Sequence, residues 1–144
     1  VPDEISLALS ISGCNLGCTG CHSSETWVKT YGEELSDTAL INLIEKNKHI
    51  SCVLIYDGQH NIDRLIKIIQ IIKSFNLKTA LYTGLDILQP ELIVLLDYYK
   101  LGKYIKELGG LSKETTNQKL YKNYGNSSSK LVYNFKLGKW QEDC

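Results

Sequence analysis

Ile5, Leu7, Leu9 and Ile11 alternate with Ser6, Ala8, Ser10 and Ser12, and a period of two over that length predicts a half-buried strand. Gly13 ends it, and residues 13–26 read as a loop carrying Gly13, Gly17 and Gly20. Ser36 or Asp37 can cap a helix whose apolar face is Leu40, Leu43 and Ile44. Cys52–Tyr56 is a short unbroken apolar run, the pattern of a buried parallel strand, and Asp57-Gly58 breaks it. Ile62, Leu65, Ile66, Ile69 and Ile72 then recur at helical spacing. Ile68, Ile71 and Phe75 widen that stripe, which predicts a helix packed hard on a sheet. Lys78–Tyr82 reads as a third strand before Thr83-Gly84. Pro90 suits the first turn of a further helix through Leu92, Ile93, Leu95 and Leu96, and Leu96–Lys100 reads as a short fourth strand. Residues 109–130 are polar and end in Asn126-Ser127-Ser128-Ser129, the composition of a surface loop or mobile segment. Leu131, Tyr133, Phe135 and Leu137 alternate again before Gly138 and Trp140, which predicts a last strand or hairpin arm. Strand and helix alternate from residue 5 to about 100, the order of a parallel α/β sheet.

The length narrows this picture. One domain spanning residues 1–144 is expected, whereas a closed eight-stranded β/α barrel needs about 250 residues. The hydrophobic share of 43% supplies a core for a chain of this size. Sixteen basic residues cancel sixteen acidic ones, so no nucleic-acid partner is expected. No apolar run approaches the roughly 18 residues of a membrane span, and no signal-peptide profile opens the chain. A cytoplasmic protein is the expectation. The chain has no methionine, not even at its start, which implies a processed or truncated N-terminus.

Three of the five cysteines, Cys14, Cys18 and Cys21, fall in a C-x3-C-x2-C spacing directly after the first strand. Thiolates are soft ligands suited to zinc, copper(I) or iron–sulfur clusters. A zinc module would need a fourth ligand, for which His22 or Cys52 is available. His22 adjoins Cys21, which makes it hard for both side chains to reach one small ion. A disulfide framework suits neither the odd cysteine count nor an intracellular chain. The better physical reading is a [4Fe–4S] cluster held by three thiolates with one iron open, since clusters that only transfer electrons are closed by four cysteines. Glycines let the loop wrap such a group closely, and backbone N–H groups can donate to its sulfides.

The run Ser12-Gly13-Cys14-Asn15-Leu16-Gly17-Cys18-Thr19-Gly20-Cys21-His22 resembles the cluster loop of the radical S-adenosylmethionine (SAM) enzymes. More narrowly, it is similar to that of the activating proteins of anaerobic (class III) ribonucleotide reductases. Cys21-His22-Ser23 leading to Trp27, Tyr82-Thr83-Gly84 at a strand end, and Tyr104-Ile105 through Gly110-Leu111 to Thr116-Asn117-Gln118 support the narrower likeness. The resemblance covers most of residues 4–121. It implies an α/β fold, a partial, open (β/α) radical-SAM barrel with a mainly parallel sheet and the cluster at the carboxyl ends of the strands. Cys14, Cys18 and Cys21 would ligate three irons, and the fourth would chelate the amino and carboxylate groups of SAM. One electron would cleave SAM to methionine and a 5′-deoxyadenosyl radical, which would take hydrogen from a glycine of the reductase. The implied partners are the anaerobic ribonucleotide reductase large subunit and a flavodoxin- or ferredoxin-type electron donor.

The chain departs from that pattern at two places. Asp57-Gly58-Gln59-His60 stands where the superfamily has a Gly-Gly-Glu-type motif for the SAM amino group, so Gly58 and backbone carbonyls, with Asp57 or Gln59 as acceptor, take that place. Gly20 stands where many relatives carry an aromatic residue. Enzymatic alternatives are activases of other glycyl-radical enzymes, of the pyruvate formate-lyase type. A degenerate cluster-binding module and the zinc module complete the alternatives.

Other residues have bland and functional readings side by side. His22 can contact the cluster or SAM, or simply stabilise its loop. Trp27 reads as a packing lid over the cluster loop. Thr83 and Gly84 end a strand where α/β ligands sit, and make either a ribose or carboxylate contact or a plain turn. Lys100 faces an anionic group of SAM or solvent. Asn117 and Gln118 can cap or order the polar loop. Cys52 reads as a small core hydrophobe, and Cys144 as a frayed end. Asn126-Ser127-Ser128 matches a glycosylation acceptor that a cytosolic protein never presents to the machinery. Some of the nine tyrosines, crowded into the C-terminal half, can form a partner-facing patch.

Overall fold

The structure, a computed structural model, describes residues 1–21, 23–124 and 129–143. His22, Asn126-Ser127-Ser128 and Cys144 lie outside the described residues. Among the described residues, seven strands form one sheet in chain order. β1 (Ser6–Ser10), β2 (Cys52–Tyr56), β3 (Lys78–Tyr82) and β4 (Tyr98–Leu101) pair in parallel. β5 (Lys119–Tyr124), β6 (Ser129–Asn134) and β7 (Lys139–Glu142) continue the sheet antiparallel from β4. The sheet is therefore mixed, with as many antiparallel pairings as parallel ones.

Three helices cross between the parallel strands: α1 (Asp37–Lys46), α2 (Ile62–Ser74) and α3 (Pro90–Ile93). Ser36 Oγ accepts from the Ala39 N–H at 3.1 Å, and Asn61 Oδ1 from the Arg64 N–H at 3.2 Å, so α1 and α2 start on side-chain caps. The stripe Leu65, Ile68, Ile69 and Ile72 of α2 packs with Leu40 and Ile44 of α1 on Leu9, Val53, Ile55, Leu81 and Tyr99. One face of the sheet thus carries all three helices and the main core.

Three sequence expectations change here. The polar stretch 109–130 is not all loop, because residues 119–124 form β5 between β4 and β6. Leu120 is fully buried there, and the Tyr121 ring stacks on Tyr99 with centroids 5.2 Å apart. Neighbouring strands supply that burial, which local composition cannot show. The strand expected to run on to Leu137 stops at Asn134, whose Oδ1 accepts from the Lys136 and Leu137 N–H groups at 3.0 Å. Phe135 and Leu137 therefore lie exposed in the turn leading to β7. The helix begun at Pro90 also ends early: Asn123 Nδ2 donates to the Ile93 and Leu96 carbonyls, both at 2.7 Å.

The face without helices holds Cys52, Leu54, Ala80 and Tyr98, packed by Val1, Tyr82 and Trp140. Trp140 of β7 stands 5.6 Å from Tyr98 of β4, ring to ring, although three strand spacings separate them. A flat sheet would hold them about 14 Å apart, so the sheet curls around this inner face. At its amino end sits Glu4, whose side chain is 5% exposed. It accepts hydrogen bonds from Tyr98 Oη at 2.7 Å, Lys78 Nζ at 2.9 Å and the Ser51 hydroxyl. Burial raises its carboxyl's pKa, but the bonds from Ser51, Lys78 and Tyr98 outweigh burial and hold it below the ordinary value.

Glu4→Ala strands the buried Tyr98 hydroxyl and should lower unfolding stability at neutral pH by about 1–3 kcal/mol, read from urea midpoints at unchanged slope. Because the folded carboxyl titrates below the unfolded one, the wild-type advantage should be complete above about pH 5 and fade as the pH falls through the folded value.

Candidate cluster site

Parallel pairing in chain order brings the carboxyl ends of β1, β2, β3 and β4 side by side. The segments after them meet along that edge: the cysteine loop, residues 57–61, 83–89 and 102–118. Ligand sites of α/β sheets occupy this edge, because loops there converge without interrupting the ladder.

The cysteine loop is tied back on itself by backbone bonds. The Gly13 N–H donates to the Thr26 carbonyl at 2.6 Å and the Cys14 N–H to the same oxygen at 3.3 Å. The Cys21 N–H donates to the Cys18 carbonyl at 3.1 Å, and the Ser23 N–H to Cys21 Sγ at 3.4 Å. Thr26 is buried in the short 3-10 turn Ser24–Trp27, whereas Trp27 is 40% exposed. The expected lid is therefore not Trp27; the neighbouring threonine closes the loop. Gly13 is buried with φ +96°, and a Cβ there would stand 3.2 Å from the His60 ring and from Lys29 Cγ. Close approach and positive φ both demand glycine at that point.

Cys14, Cys18 and Cys21 are free and half-buried. Burial pushes the Cys14 thiol up; Asp57, Cys18 and Cys21 add repulsion, and the Leu16 N–H offsets part of it. Cys14 thus lies near enough to Cys18 and to Cys21 for their charges to oppose its own. Among the described residues, no three His, Cys, Asp or Glu side chains converge on a single-ion point. A mononuclear metal requires that convergence; a cubane, giving each thiolate its own iron, does not. Three half-buried thiols on one glycine-bearing loop suit a multi-iron group, whose charge deprotonates a coordinating thiol. Cys52, fully buried at the start of β2, lies about 13 Å along the strand from this edge and cannot complete a zinc set.

The other candidates surround the loop. Asp57 adopts φ +65° and Gly58 φ +91°. Burial pushes the Asp57 carboxyl up, against hydrogen bonds from Gln59 and Cys14 and the nearby charge of Lys100. Gln59 Oε1 is buried and has no hydrogen-bond partner. Lys100 Nζ donates to Gln118 Oε1 at 2.7 Å and to the Gly102 carbonyl at 2.9 Å. Burial brings its pKa down to about 8, against the pull of Asp57 and Cys18. Thr83 is 1% exposed, and its Oγ1 accepts from the Leu85 N–H at 3.2 Å, so the turn uses its oxygen as an acceptor. Asn117 Nδ2 donates to the Lys103 carbonyl at 3.1 Å and orders the 102–118 segment.

Three further contributors entered the sequence reading only within the quoted stretches or as loop-ordering residues, without a place at the site. Gln118 is 8% exposed and holds the Lys100 ammonium. The Tyr104 ring stands 3.6 Å from where a Cβ on Gly20 would sit. Leu16 leans on Gly84 so closely that a Cβ there would come within 2.2 Å of Leu16 Cδ1.

The family described as the 4Fe-4S single cluster domain has a model that matches residues 5–122, from β1 into β5, and so includes this whole edge. Searches of curated proteins and of solved structures return no match. Among the described residues, no helix is long and apolar enough to cross a membrane.

Gly84→Ala should push Leu16 and the cysteine loop out of place at a cost of about 1–3 kcal/mol. The expected result is reduced iron and sulfide retention on anaerobic gel filtration, restored when Leu16→Ala is added.

Proposed function

We infer the function from one premise: the chain belongs to the family of 4Fe-4S single cluster domains. A 4Fe-4S cluster-binding domain is therefore present. On that basis we propose a radical SAM activase, with Cys14, Cys18 and Cys21 each holding one iron and the fourth iron left open to SAM. The observation that carries the proposal is the buried, unpartnered Gln59 Oε1 beside the three-thiol loop, with Asp57 and the Lys100 ammonium at the same edge.

When bound and reduced, the cluster supplies the electron that splits SAM into methionine and a 5′-deoxyadenosyl radical. The chain's own residues bind, orient and shield. Gln59 Oε1 is the acceptor for the SAM ammonium, in place of a glutamate. Asp57, on its strained turn, adds negative charge next to that ammonium. Lys100, held by Gln118 and the Gly102 carbonyl, offers the cation for the SAM carboxylate. The Thr26 carbonyl braces the loop at Gly13 and Cys14, and the His60 and Tyr104 rings stand against Gly13 and Gly20.

The fold reading that accompanies this is a partial, open barrel. The curled inner face and a sheet that does not close support it, since an opening between β1 and β7 admits a macromolecular substrate. The proposed substrate is a glycine loop on the large subunit of an anaerobic ribonucleotide reductase. A flavodoxin- or ferredoxin-type protein is the proposed electron donor.

Anaerobic reconstitution followed by reduction and addition of SAM should yield methionine and 5′-deoxyadenosine. Cys18→Ala should abolish this product, and zinc without sulfide in the purified protein would overturn the proposal. Lys100→Met should raise the KM for SAM about tenfold with kcat little changed, the signature of lost carboxylate binding.

A further inference from the structure

The inner face of the sheet is filled unevenly. Toward β4–β7, Tyr98, Trp140 and Tyr133 pack ring on ring, with centroids 5.6 Å and 5.1 Å apart. Toward β1 the side chains are small, and Ala8 and Ser10 are exposed. The parallel register sets side chains of this face in rows. Ala8, Leu54, Ala80 and Tyr98 form one row, and Ser10, Tyr56, Tyr82 and Lys100 form the next, at the carboxyl edge. Tyr56 immediately precedes Asp57, and the Asp57 N–H donates to the Tyr82 carbonyl at 3.0 Å. The second row therefore adjoins the Asp57-Gly58-Gln59 turn.

Tyr56 and Tyr82 meet edge to face, with centroids 5.5 Å apart and ring planes at 78°. Tyr56 is 39% exposed and Tyr82 half-buried. Among the described residues, neither hydroxyl has a hydrogen-bond partner. Tyr98 on the same face differs, since its Oη donates to Glu4 at 2.7 Å. Burial, with Tyr56 beside it, pushes the Tyr82 phenol up to about 12, so it keeps its proton and can donate. Lys100, the one charged group of the row, is held by Gln118 and the Gly102 carbonyl. What the row leaves free are neutral hydroxyls.

We propose that Tyr56 and Tyr82 hold the backbone of the reductase's glycine loop, hydroxyl to peptide group, and so position its glycine at the site. The inference rests on the activase reading and names the residues that take the macromolecular substrate. Glycine has no side chain, so recognition must fall on the peptide groups around it. Each peptide group offers an N–H donor and a carbonyl acceptor, and a tyrosine hydroxyl can meet either. Neutral hydroxyls suit those uncharged groups better than they suit an anion. Ala8, Ser10 and Ala80 leave room beside the rings, and a glycine loop brings little bulk to fill it. Because each ring braces the other, both hydroxyls are set before the loop arrives, which lowers the ordering cost of binding.

The test follows glycyl-radical formation by electron paramagnetic resonance against the concentration of an anaerobic ribonucleotide reductase large subunit, using the cluster-loaded, reduced protein. Tyr82→Phe and Tyr56→Phe should each raise the KM for that subunit about three- to tenfold, while the KM for SAM keeps its wild-type value. Calorimetry without reductant, where nothing turns over, should show the same loss in Kd for the subunit. Tyr124→Phe, on the same face at the amino end, should change neither quantity. Tyrosine variants that stay within about twofold of wild type in both KM and Kd for the subunit overturn the proposal. A rise in the KM for SAM overturns it too, because the hydroxyls then serve the small substrate. A wild type that forms no 5′-deoxyadenosine overturns the activase reading and this inference with it; product formed alongside indifferent tyrosine variants overturns the inference alone.

Discussion

Because β1 to β4 run the same way in chain order, every segment that follows them must emerge on one edge of the sheet. This constraint assembles the site. The cysteine loop, the Asp57-Gly58-Gln59 turn, Gly84 and Lys100 span more than eighty residues of chain and still become neighbours. The main core underwrites the arrangement: α1 and α2 bury their apolar stripes on the same face, which holds the parallel strands in register. Burial then sets the electrostatics. Asp57 and Cys14 are pushed up and Lys100 is pushed down because all three are withdrawn from water beside one another.

The antiparallel half of the sheet does a different task. β5 and its two successors bring Trp140 against Tyr98 and curl the sheet around an inner face that has no helix over it. Glu4 ties the amino end of that face to Ser51, Lys78 and Tyr98. The candidate site is thereby confined to the carboxyl edge, while the opposite end is fastened by a buried carboxylate that accepts three hydrogen bonds.

Local pattern carried much of the architecture. Alternation over residues 5–11, the apolar run 52–56 and the stripe of α2 each need only their own segment to declare themselves. β5 was hidden because Lys119, Lys122 and Asn123 look like loop, and only β4 and β6 on either side give Leu120 and Tyr121 somewhere to be buried. The turn at Asn134 was hidden for the opposite reason: Phe135 and Leu137 keep the strand's alternation while the Asn134 side chain captures the next N–H groups. Trp27 and Thr26 show a similar exchange, since the larger side chain drew attention and a backbone carbonyl next to it does the tying.

By itself the sequence indicated the ligand chemistry: three cysteines in eight residues within a glycine-bearing loop are a soft ligand set that suits an iron–sulfur cluster, a property of spacing that survives without knowledge of the fold. Membership of the 4Fe-4S single cluster domain family agrees with that reading. Only the tertiary structure decided what surrounds the loop. That Gln59 Oε1 is buried unpaired, that Gln118 holds Lys100, and that Cys52 stands at the wrong end of its strand all depend on which segments the parallel ladder brings together. Contacts between residues far apart in the chain leave no local signature, because the water they exclude and the partners they find are supplied by strands elsewhere.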